Sequence, residues 1–264
     1  MKGVERIGAR IAAANAEGRS ALVPFVVAGR PTRASFAETL REVAFSADLV
    51  EIGLPFSDPI ADGPVIARTS RAALDDGVRL EWVLDVVADL ELEAPPILFS
   101  YLNPLLARGL EETLVAAARA GFAGLVIPDL TQLARNDEAR ALEGLCAEHG
   151  LAWIQIVTPA TGPQRRDSIL RVARGFLYAA LRTGITGART DALDAAAFLD
   201  GLREASPVPV CAGFGLRDLE QARVLREHAD GLIVGTALVE AIEAGQSPTL
   251  LLQPLREAAR RNQP

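Results

Sequence analysis

The stretch Leu22-Val23-Pro24-Phe25-Val26-Val27 is apolar at every position, so neither face of a strand built from it could be exposed to water. Two later stretches, Ile97-Leu98-Phe99 and Gly124-Leu125-Val126-Ile127, have the same character. Short runs of continuous apolarity are typical of parallel strands that are covered on both faces. These three stretches therefore predict an α/β protein with a parallel sheet.

The rest of the chain repeats this unit, because a short apolar run is followed by a longer helical pattern about eight times. Repeated strand–helix units imply parallel strands joined by right-handed crossovers. Closed (β/α)8 barrels have about 250 residues, so the 264 residues predict one TIM barrel domain spanning 1–264. The strands are predicted at Ala21–Ala28, Asp48–Gly53, Pro96–Tyr101, Ala123–Pro128, Leu151–Thr158, Gly175–Leu181, Val208–Ala212 and Gly231–Gly235.

An open doubly wound sheet is the alternative to a closed barrel. It would carry a glycine-rich dinucleotide loop after its first strand, whereas Val27-Ala28-Gly29-Arg30-Pro31 has no second or third glycine in register. An extra N-terminal helix is predicted within Met1–Ala16, where apolar residues recur at helical spacing, and we expect it to cover the bottom of the barrel. Further helices are predicted at Arg33–Ala47, Leu133–His149, Pro163–Arg174, Asp191–Ala205 and Arg217–Arg226.

The composition of the chain excludes several kinds of chemistry. Lys2 is the only lysine and lies at the N-terminus, which argues against a Schiff-base enzyme with a buried lysine. Two histidines and two cysteines, scattered along the chain, give neither the ligand spacing of a zinc site nor a disulfide framework. We therefore expect no metal.

Charge and hydropathy indicate where the protein works. The net charge of −7 argues against a nucleic-acid binder or a protein of anionic membrane surfaces. No stretch reaches the roughly 18 uncharged apolar residues of a membrane span, and the N-terminus lacks the apolar run of a signal peptide. A soluble cytoplasmic protein is the expectation.

Glu51 is the first candidate catalytic residue. Functional groups of a TIM barrel lie at the carboxyl ends of the strands and in the loops that follow, and Glu51 lies between Val50 and Ile52 near the end of the second predicted strand. A carboxylate in a buried strand is costly unless it is paired, protonated or used in chemistry. The alternative is a structural glutamate that pairs with an arginine inside the barrel.

The loop that follows, Leu54–Pro64, contains three prolines that stiffen it. Its acidic residues are Asp58 and Asp62. If the loop folds back, Asp62 reaches the same pocket as Glu51, and paired carboxylates in different environments can divide into an acid and an anion. The alternative is that each aspartate caps a turn, which suits Asp58 because a proline follows it.

Three glycine-bearing turns follow the last three predicted strands: Gly184–Gly187, Gly213-Phe214-Gly215 and Gly235-Thr236. Glycine lets backbone N–H groups approach an anion, and the loops after strands seven and eight are the usual phosphate site of barrels. Together the turns predict a phosphorylated small-molecule substrate. The alternative is that these glycines only allow the chain to turn between a strand and a helix. Tyr178 and Phe25 are candidates for the pocket wall, although core packing would also explain them.

The segment Val50–Pro64 strongly resembles the signature of the tryptophan synthase alpha subunit family. The resemblance extends over most of the chain. It includes Val23-Pro24-Phe25 in the first strand, Pro128-Asp129-Leu130 at the fourth, and Arg182–Gly187 after the sixth. Tyr101 with Asn103-Pro104 and the glycine turns at 213–215 and 235–236 are also similar to the family.

The resemblance implies a cofactor-free lyase that cleaves indole-3-glycerol phosphate into indole and glyceraldehyde 3-phosphate by a retro-aldol reaction, late in tryptophan biosynthesis. It assigns general acid–base chemistry to Glu51 and stabilisation of the indole N–H to Asp62. It also implies an α2β2 heterotetramer, in which indole passes to a beta subunit that carries the pyridoxal phosphate. By resemblance, the substrate is bound by Phe25, Tyr178, Thr186, Gly187, Gly215, Gly235 and Thr236.

Three positions depart from the family pattern. Arg30 stands where an acidic or aromatic residue is common, Leu181 where a serine is usual, and Thr131 where a proline is usual. These departures leave two further interpretations open: a stand-alone lyase that releases free indole and a copy serving specialised metabolism. A non-catalytic barrel that only binds and activates a partner is a separate alternative, against which the intact Glu51 and Asp62 argue. A different phosphate-binding barrel, such as a sugar-phosphate isomerase, would share the glycine turns but not the segment 50–64.

Overall fold

The computed structural model describes residues 1–130, 137–181, 192–213, 216 and 218–261. Eight parallel strands pair in chain order and close, because the last strand pairs with the first. The predicted TIM barrel is confirmed and the open doubly wound alternative is wrong. The strands are β1 (Ala21–Val27), β2 (Val50–Gly53), β3 (Pro96–Phe99), β4 (Gly124–Val126), β5 (Ala152–Val157), β6 (Leu177–Ala180), β7 (Val210–Gly213) and β8 (Gly231–Val234).

Helices surround the barrel, and each predicted strand overlaps an observed one with ends that differ by at most two residues. The sequence patterns above do not include α3 to α6, α11 or α12. The helices are α1 (Gly3–Ala16), α2 (Phe36–Phe45), α3 (Pro64–Asp75), α4 (Leu80–Ala88), α5 (Leu102–Leu106), α6 (Leu110–Arg119), α7 (Asp137–Glu148), α8 (Pro163–Val172), α9 (Ala192–Ala205), α10 (Leu219–Leu225), α11 (Thr236–Glu243) and α12 (Pro248–Ala258).

The strand register sets which side chains fill the barrel. Glu51 on β2 pairs with Phe25 on β1, and residues paired in a parallel ladder point to the same face. The rings of Phe25 and Phe99 meet edge to face, 5.4 Å apart, across β2. Side chains on the outside of a closed barrel diverge, so these rings meet inside it. Glu51 therefore points into the barrel.

Helix α1 lies across the amino-terminal ends of the strands. The Arg6 guanidinium donates to the Gly121 carbonyl, 3.0 Å away, just before β4. The Asn15 side-chain amide donates to the Asp230 carbonyl, 2.9 Å away, just before β8. The extra N-terminal helix therefore covers the bottom of the barrel, and the carboxyl ends of the strands face the other way. None of the helices in the described ranges combines the length and apolarity needed to cross a bilayer.

Candidate active site

Glu51 is fully buried in β2. Among the described residues, neither of its carboxylate oxygens has a hydrogen-bonding partner, and no arginine forms an ion pair with it. Burial without compensation raises the pKa of Glu51 from 4.5 to about 8. The side chain is therefore a neutral acid at pH 7, and the described residues do not contain the arginine that a structural role would require.

Asp62 belongs to the loop between β2 and α3, and this loop turns back on itself. The amide of Asp62 donates to the Pro59 carbonyl at 3.2 Å, and the amide of Ile60 donates to the Asp58 carbonyl at 2.9 Å. Burial raises the pKa of Asp62 to about 6, and a hydrogen bond from the Tyr101 side chain opposes that rise. At pH 7 Asp62 is therefore mostly an anion, whereas Glu51 is mostly neutral.

Tyr178 on β6 connects the two carboxyl groups. Burial raises the pKa of Tyr178 well above its ordinary value, and the charges of Glu51 and Asp62 raise it further. The phenol is therefore near enough to both carboxyl groups for their charges to act on it, and the three side chains lie in the same region of the barrel. Gly213 on β7 leaves room for Tyr178, because a Cβ at Gly213 would lie 2.7 Å from the phenol oxygen.

Phe25 and Phe99 form the apolar wall of the same pocket. Gly53 lies between them on β2, and a Cβ there would be only 2.4 Å from the Phe25 Cζ atom. Gly235, which precedes α11, lies on the other side of Phe25. A Cβ built on Gly235 would be 3.7 Å from the Phe25 Cβ. The two glycines let an aromatic ring occupy the space between β2 and the start of α11.

The predicted anion-binding turns are described only in part. Gly235 and Thr236 are half-buried at the amino-terminal end of α11, directly after β8. Their backbone N–H groups lie at a helix N-terminus, where an anion is favoured. Gly213 is buried in β7. Thr186, Gly187 and Gly215 lie outside the described residues.

Two of the three positions that depart from the family pattern, Arg30 and Leu181, lie within the described residues. The Arg30 guanidinium binds the Glu243 carboxylate at 2.8 Å and the Asp76 carboxylate at 3.1 Å, so it links the first loop to the ends of α11 and α3. Leu181 is buried after β6. Thr131 lies outside the described residues. The catalytic candidates are not among the contacts of Arg30.

The sequence interpretation does not assign a role to Tyr101, which the structure places against Asp62. The Tyr101 oxygen accepts a hydrogen bond from the Ala61 amide at 2.9 Å, and the ring of Phe56 lies 5.2 Å from the Tyr101 ring. Tyr101 lies two residues beyond the end of β3. The rule that selected Glu51, a functional side chain at a strand end, would also have selected this tyrosine.

The described residues contain no cluster of side chains suited to binding a metal ion. Within 1–130, 137–181, 192–213, 216 and 218–261, no group of three or more histidine, cysteine, aspartate or glutamate residues could hold an ion. Cys146 and Cys211 are both free and buried. The absence of a cofactor stays a prediction of the sequence.

Known proteins share this chain's sequence and fold over almost its whole length. The family model for the tryptophan synthase alpha chain matches residues 11–263. The alpha chain of Deinococcus radiodurans is 37% identical, covering 98% of this chain and 96% of that protein. The alpha chain of Carboxydothermus hydrogenoformans is 42% identical, covering 91% and 90%.

Solved structures agree with the sequence matches. A tryptophan synthase chain from Mycobacterium tuberculosis superposes with a TM-score of 0.88 at 34% identity, covering 97% of this chain and 99% of that one. The alpha subunit from Legionella pneumophila gives 0.87 at 31% identity, covering 98% of each. The alternative of an unrelated phosphate-binding barrel is therefore wrong. The chain belongs to the tryptophan synthase alpha chain family, the lyases that cleave indole-3-glycerol phosphate in tryptophan biosynthesis.

Proposed function

We propose that Glu51 and Asp62 carry out this cleavage as an acid and an anion on opposite parts of the indole ring. The observation behind this proposal is the difference between their environments: Glu51 is buried with no hydrogen-bonding partner among the described residues, and Asp62 is half-buried beside a phenol. Environments that separate two carboxyl pKa values are a common basis for dividing acid and base roles.

The proposed reaction balances with these two groups. Neutral Glu51 gives its proton to the indole carbon that bears the glycerol phosphate side chain, which leaves positive charge on the ring nitrogen. The Asp62 carboxylate stabilises that charge through the N–H. The electrons of the breaking carbon–carbon bond return to the ring, and ionised Glu51 accepts the proton of the side-chain hydroxyl, which becomes the aldehyde. Each positioned proton transfer contributes about 10²–10⁴-fold.

The indole ring itself explains why no further electron sink is needed. Aldol cleavages usually use a lysine imine or a metal ion, and the only lysine of this chain is Lys2. Once its carbon is protonated, the indole ring accepts the electron pair. In this proposal Phe25, Phe99 and Tyr178 surround the ring.

The phosphate is proposed to bind backbone N–H groups rather than side chains. Gly235 and Thr236 at the start of α11 support this, because a helix N-terminus attracts anions. By resemblance to the family, Thr186, Gly187 and Gly215 complete the site.

The setting of the enzyme is part of the same proposal. We propose an α2β2 heterotetramer in which a beta subunit receives the indole, with residues 1–264 of this chain as one barrel domain. The closure of β8 on β1 supports a single domain. A cytoplasmic location is supported by the two free, buried cysteines, which suit a reducing compartment.

The decisive experiment is to measure indole release from indole-3-glycerol phosphate with and without an added beta subunit. Release that the beta subunit strongly activates supports the proposal. Substantial release by the chain alone, with no complex on size-exclusion chromatography, supports the stand-alone lyase that Arg30, Leu181 and Thr131 leave open. No release under either condition would contradict the proposed chemistry and favour the non-catalytic barrel.

The pH dependence of cleavage should be bell-shaped. Asp62 must be ionised, so kcat/KM should fall as the pH drops through about 6. Glu51 must be protonated, so kcat/KM should also fall as the pH rises through about 8. The acidic limb should disappear in Asp62→Asn, because an amide does not titrate. A wild-type profile that stays flat from well below pH 6 to well above pH 8 would contradict the assigned protonation states.

Replacing Gly53 by alanine should damage the indole pocket. The new Cβ would lie 2.4 Å from the Phe25 Cζ and 2.8 Å from the Cε2, so the ring must shift. Overpacking of this kind costs about 1–3 kcal/mol, and we expect kcat/KM to fall about 5- to 100-fold, mainly through KM.

The matched control for this prediction is Gly201→Ala in α9, where a Cβ would have no atom within 4 Å. Steady-state kinetics of both variants against wild type measure the effect. If Gly53→Ala and Gly201→Ala have the same KM, the pocket does not depend on the position of Phe25.

A further inference from the structure

Tyr101 touches the catalytic loop through both its hydroxyl and its ring. The Ala61 amide donates to the phenol oxygen at 2.9 Å. A phenol oxygen that accepts this bond still has its own hydrogen to donate, and the hydroxyl is close enough to the Asp62 carboxyl to lower its pKa. The Phe56 ring packs at 5.2 Å on the Tyr101 ring. One side chain therefore holds the loop at residues 56 and 61, directly before Asp62.

Tyr101 is itself held firmly. It is only 3% exposed. The next amide along the chain, that of Leu102, donates to both carboxylate oxygens of Asp129 at 3.1 and 3.2 Å. Asp129 follows β4, so the backbone at the end of β3 is fixed to its neighbouring strand. The hydroxyl thus reaches the loop between β2 and α3 from a backbone that is fixed to the neighbouring strand end.

We propose that Tyr101 is the positioning residue for Asp62: its hydroxyl fixes the Ala61–Asp62 backbone and directs the carboxylate, as an anion, at the indole N–H. This inference rests on the proposed role of Asp62. Tyr101 acts through Asp62 and is not assigned any contact with the substrate.

The surroundings of Asp62 make this hydroxyl important for its charge. Within the described part of the chain, Tyr101, Tyr178, Glu51 and Cys211 are the titratable groups around Asp62 and its neighbours, and Asp129 acts on Tyr101 from the β4 side. No arginine, lysine or histidine of the described residues forms an ion pair with Asp62. The Tyr101 hydroxyl therefore offsets part of the cost of burying this carboxylate.

The test is Tyr101→Phe, which keeps the ring that Phe56 contacts and removes only the oxygen. We expect kcat to fall about 10- to 100-fold at pH 7, because the Ala61 amide loses its acceptor and the Asp62 carboxylate loses the hydroxyl beside it. KM should change little. The acidic limb of the pH profile should move up by about one pH unit, because the ionised form of Asp62 loses the hydroxyl that favours it. An unmoved acidic limb would overturn the proposal.

The control is Thr113→Val, which removes a buried hydroxyl that donates to the Leu105 carbonyl at 3.0 Å, away from the loop. Its acidic limb should stay in place. In an Asp62→Asn background, Tyr101→Phe should lower kcat by less than about twofold if the two residues act as one unit. An undiminished loss in that background would mean that Tyr101 acts through some other group.

Two measurements keep this test independent of the proposed reaction. In carbon-13 NMR, the carboxyl titration of Asp62 should move to higher pH in Tyr101→Phe even if the wild-type protein cleaved nothing. In wild type, the Ala61 amide should be protected from hydrogen exchange, and it should lose that protection in the variant. Fast exchange of Ala61 in wild type would overturn the inference while leaving the cleavage assay to judge the lyase.

Discussion

Glu51→Gln should lower kcat for indole-3-glycerol phosphate cleavage by about 10²–10⁴-fold, the usual contribution of one positioned acid–base group. Glutamine has the size and hydrogen-bonding shape of the neutral acid but has no proton to transfer. Substrate binding should be nearly unchanged, because the wild-type side chain is also uncharged below about pH 8. The loss should therefore appear in kcat and kcat/KM together and leave KM alone.

The same substitution has a signature in stability that does not depend on catalysis. The pKa of Glu51 is raised from 4.5 to about 8 in the folded protein, so the unfolded state releases the proton first as the pH rises. Wild type therefore loses stability between these two values relative to Glu51→Gln, whose side chain does not titrate. We expect the melting temperature of the variant to overtake that of wild type as the pH rises through this window.

Asp58→Asn is the matched control for Glu51→Gln, since Asp58 is an exposed carboxylate of the neighbouring loop. It should keep turnover near that of wild type and show no comparable pH-dependent gain in stability. Near-normal turnover of Glu51→Gln would remove Glu51 from the acid–base role. Equal pH dependence of melting in wild type and Glu51→Gln would show that Glu51 is not a buried neutral acid.

The parallel strands and the candidate acid Glu51 could both be predicted from the apolar pattern of the sequence. A strand covered on both faces must be apolar throughout, so Leu22–Val27 predicts a buried parallel strand without any long-range information. The same rule makes Glu51 conspicuous, because a carboxylate between Val50 and Ile52 contradicts its surroundings. A charged residue that interrupts the apolar pattern of a buried strand therefore indicates a functional site.

Other features depend on contacts that only the folded chain brings together. The strand-end rule would have selected Tyr101 as a candidate, but its role depends on Ala61, which lies 40 positions away in sequence and donates to its oxygen only in the folded chain. The helices α3 and α4 follow the rigid loop and are interrupted by a turn at Gly77, so they give no single long helical pattern. The bond between Arg19 and Asp48 spans 29 positions, and no local rule connects them.

Asp48→Ala should destabilise the protein by about 3–5 kcal/mol, the cost of leaving one partner of a buried ion pair alone. Asp48 and Arg19 are each 3% exposed, and the Asp48 carboxylate takes two bonds from the guanidinium, at 2.5 and 2.8 Å. The carboxylate also accepts the Leu22 amide at 2.8 Å. Alanine would therefore leave the buried Arg19 cation with only the exposed Glu17 carboxylate, 2.9 Å away, and would remove the acceptor of the buried Leu22 N–H group.

The position of this ion pair explains why its loss should be global. Arg19 follows α1, Asp48 precedes β2 and Leu22 belongs to β1, so the cluster joins three segments at the closed end of the barrel. Arg256 on α12 adds a further contact to Asp48 at 3.6 Å. The cluster lies at the opposite end from Glu51. Cleavage at a temperature where the variant is still folded should therefore match wild type.

Asp75→Ala is the control for Asp48→Ala, because it removes a carboxylate from an exposed ion pair instead of a buried one. Asp75 pairs with Arg71 on the exposed face of α3, at 3.1 Å with both side chains largely in solvent. Exposed pairs of this kind contribute about 0.3–0.5 kcal/mol, so the midpoint of unfolding in urea should barely move. Asp48→Asn should fall between the two alanine variants, because an amide oxygen can still accept one bond but carries no charge. If Asp48→Ala and Asp75→Ala shift the transition equally, the bottom of the barrel is held by apolar packing alone, and the buried charges have been retained for some reason other than stability.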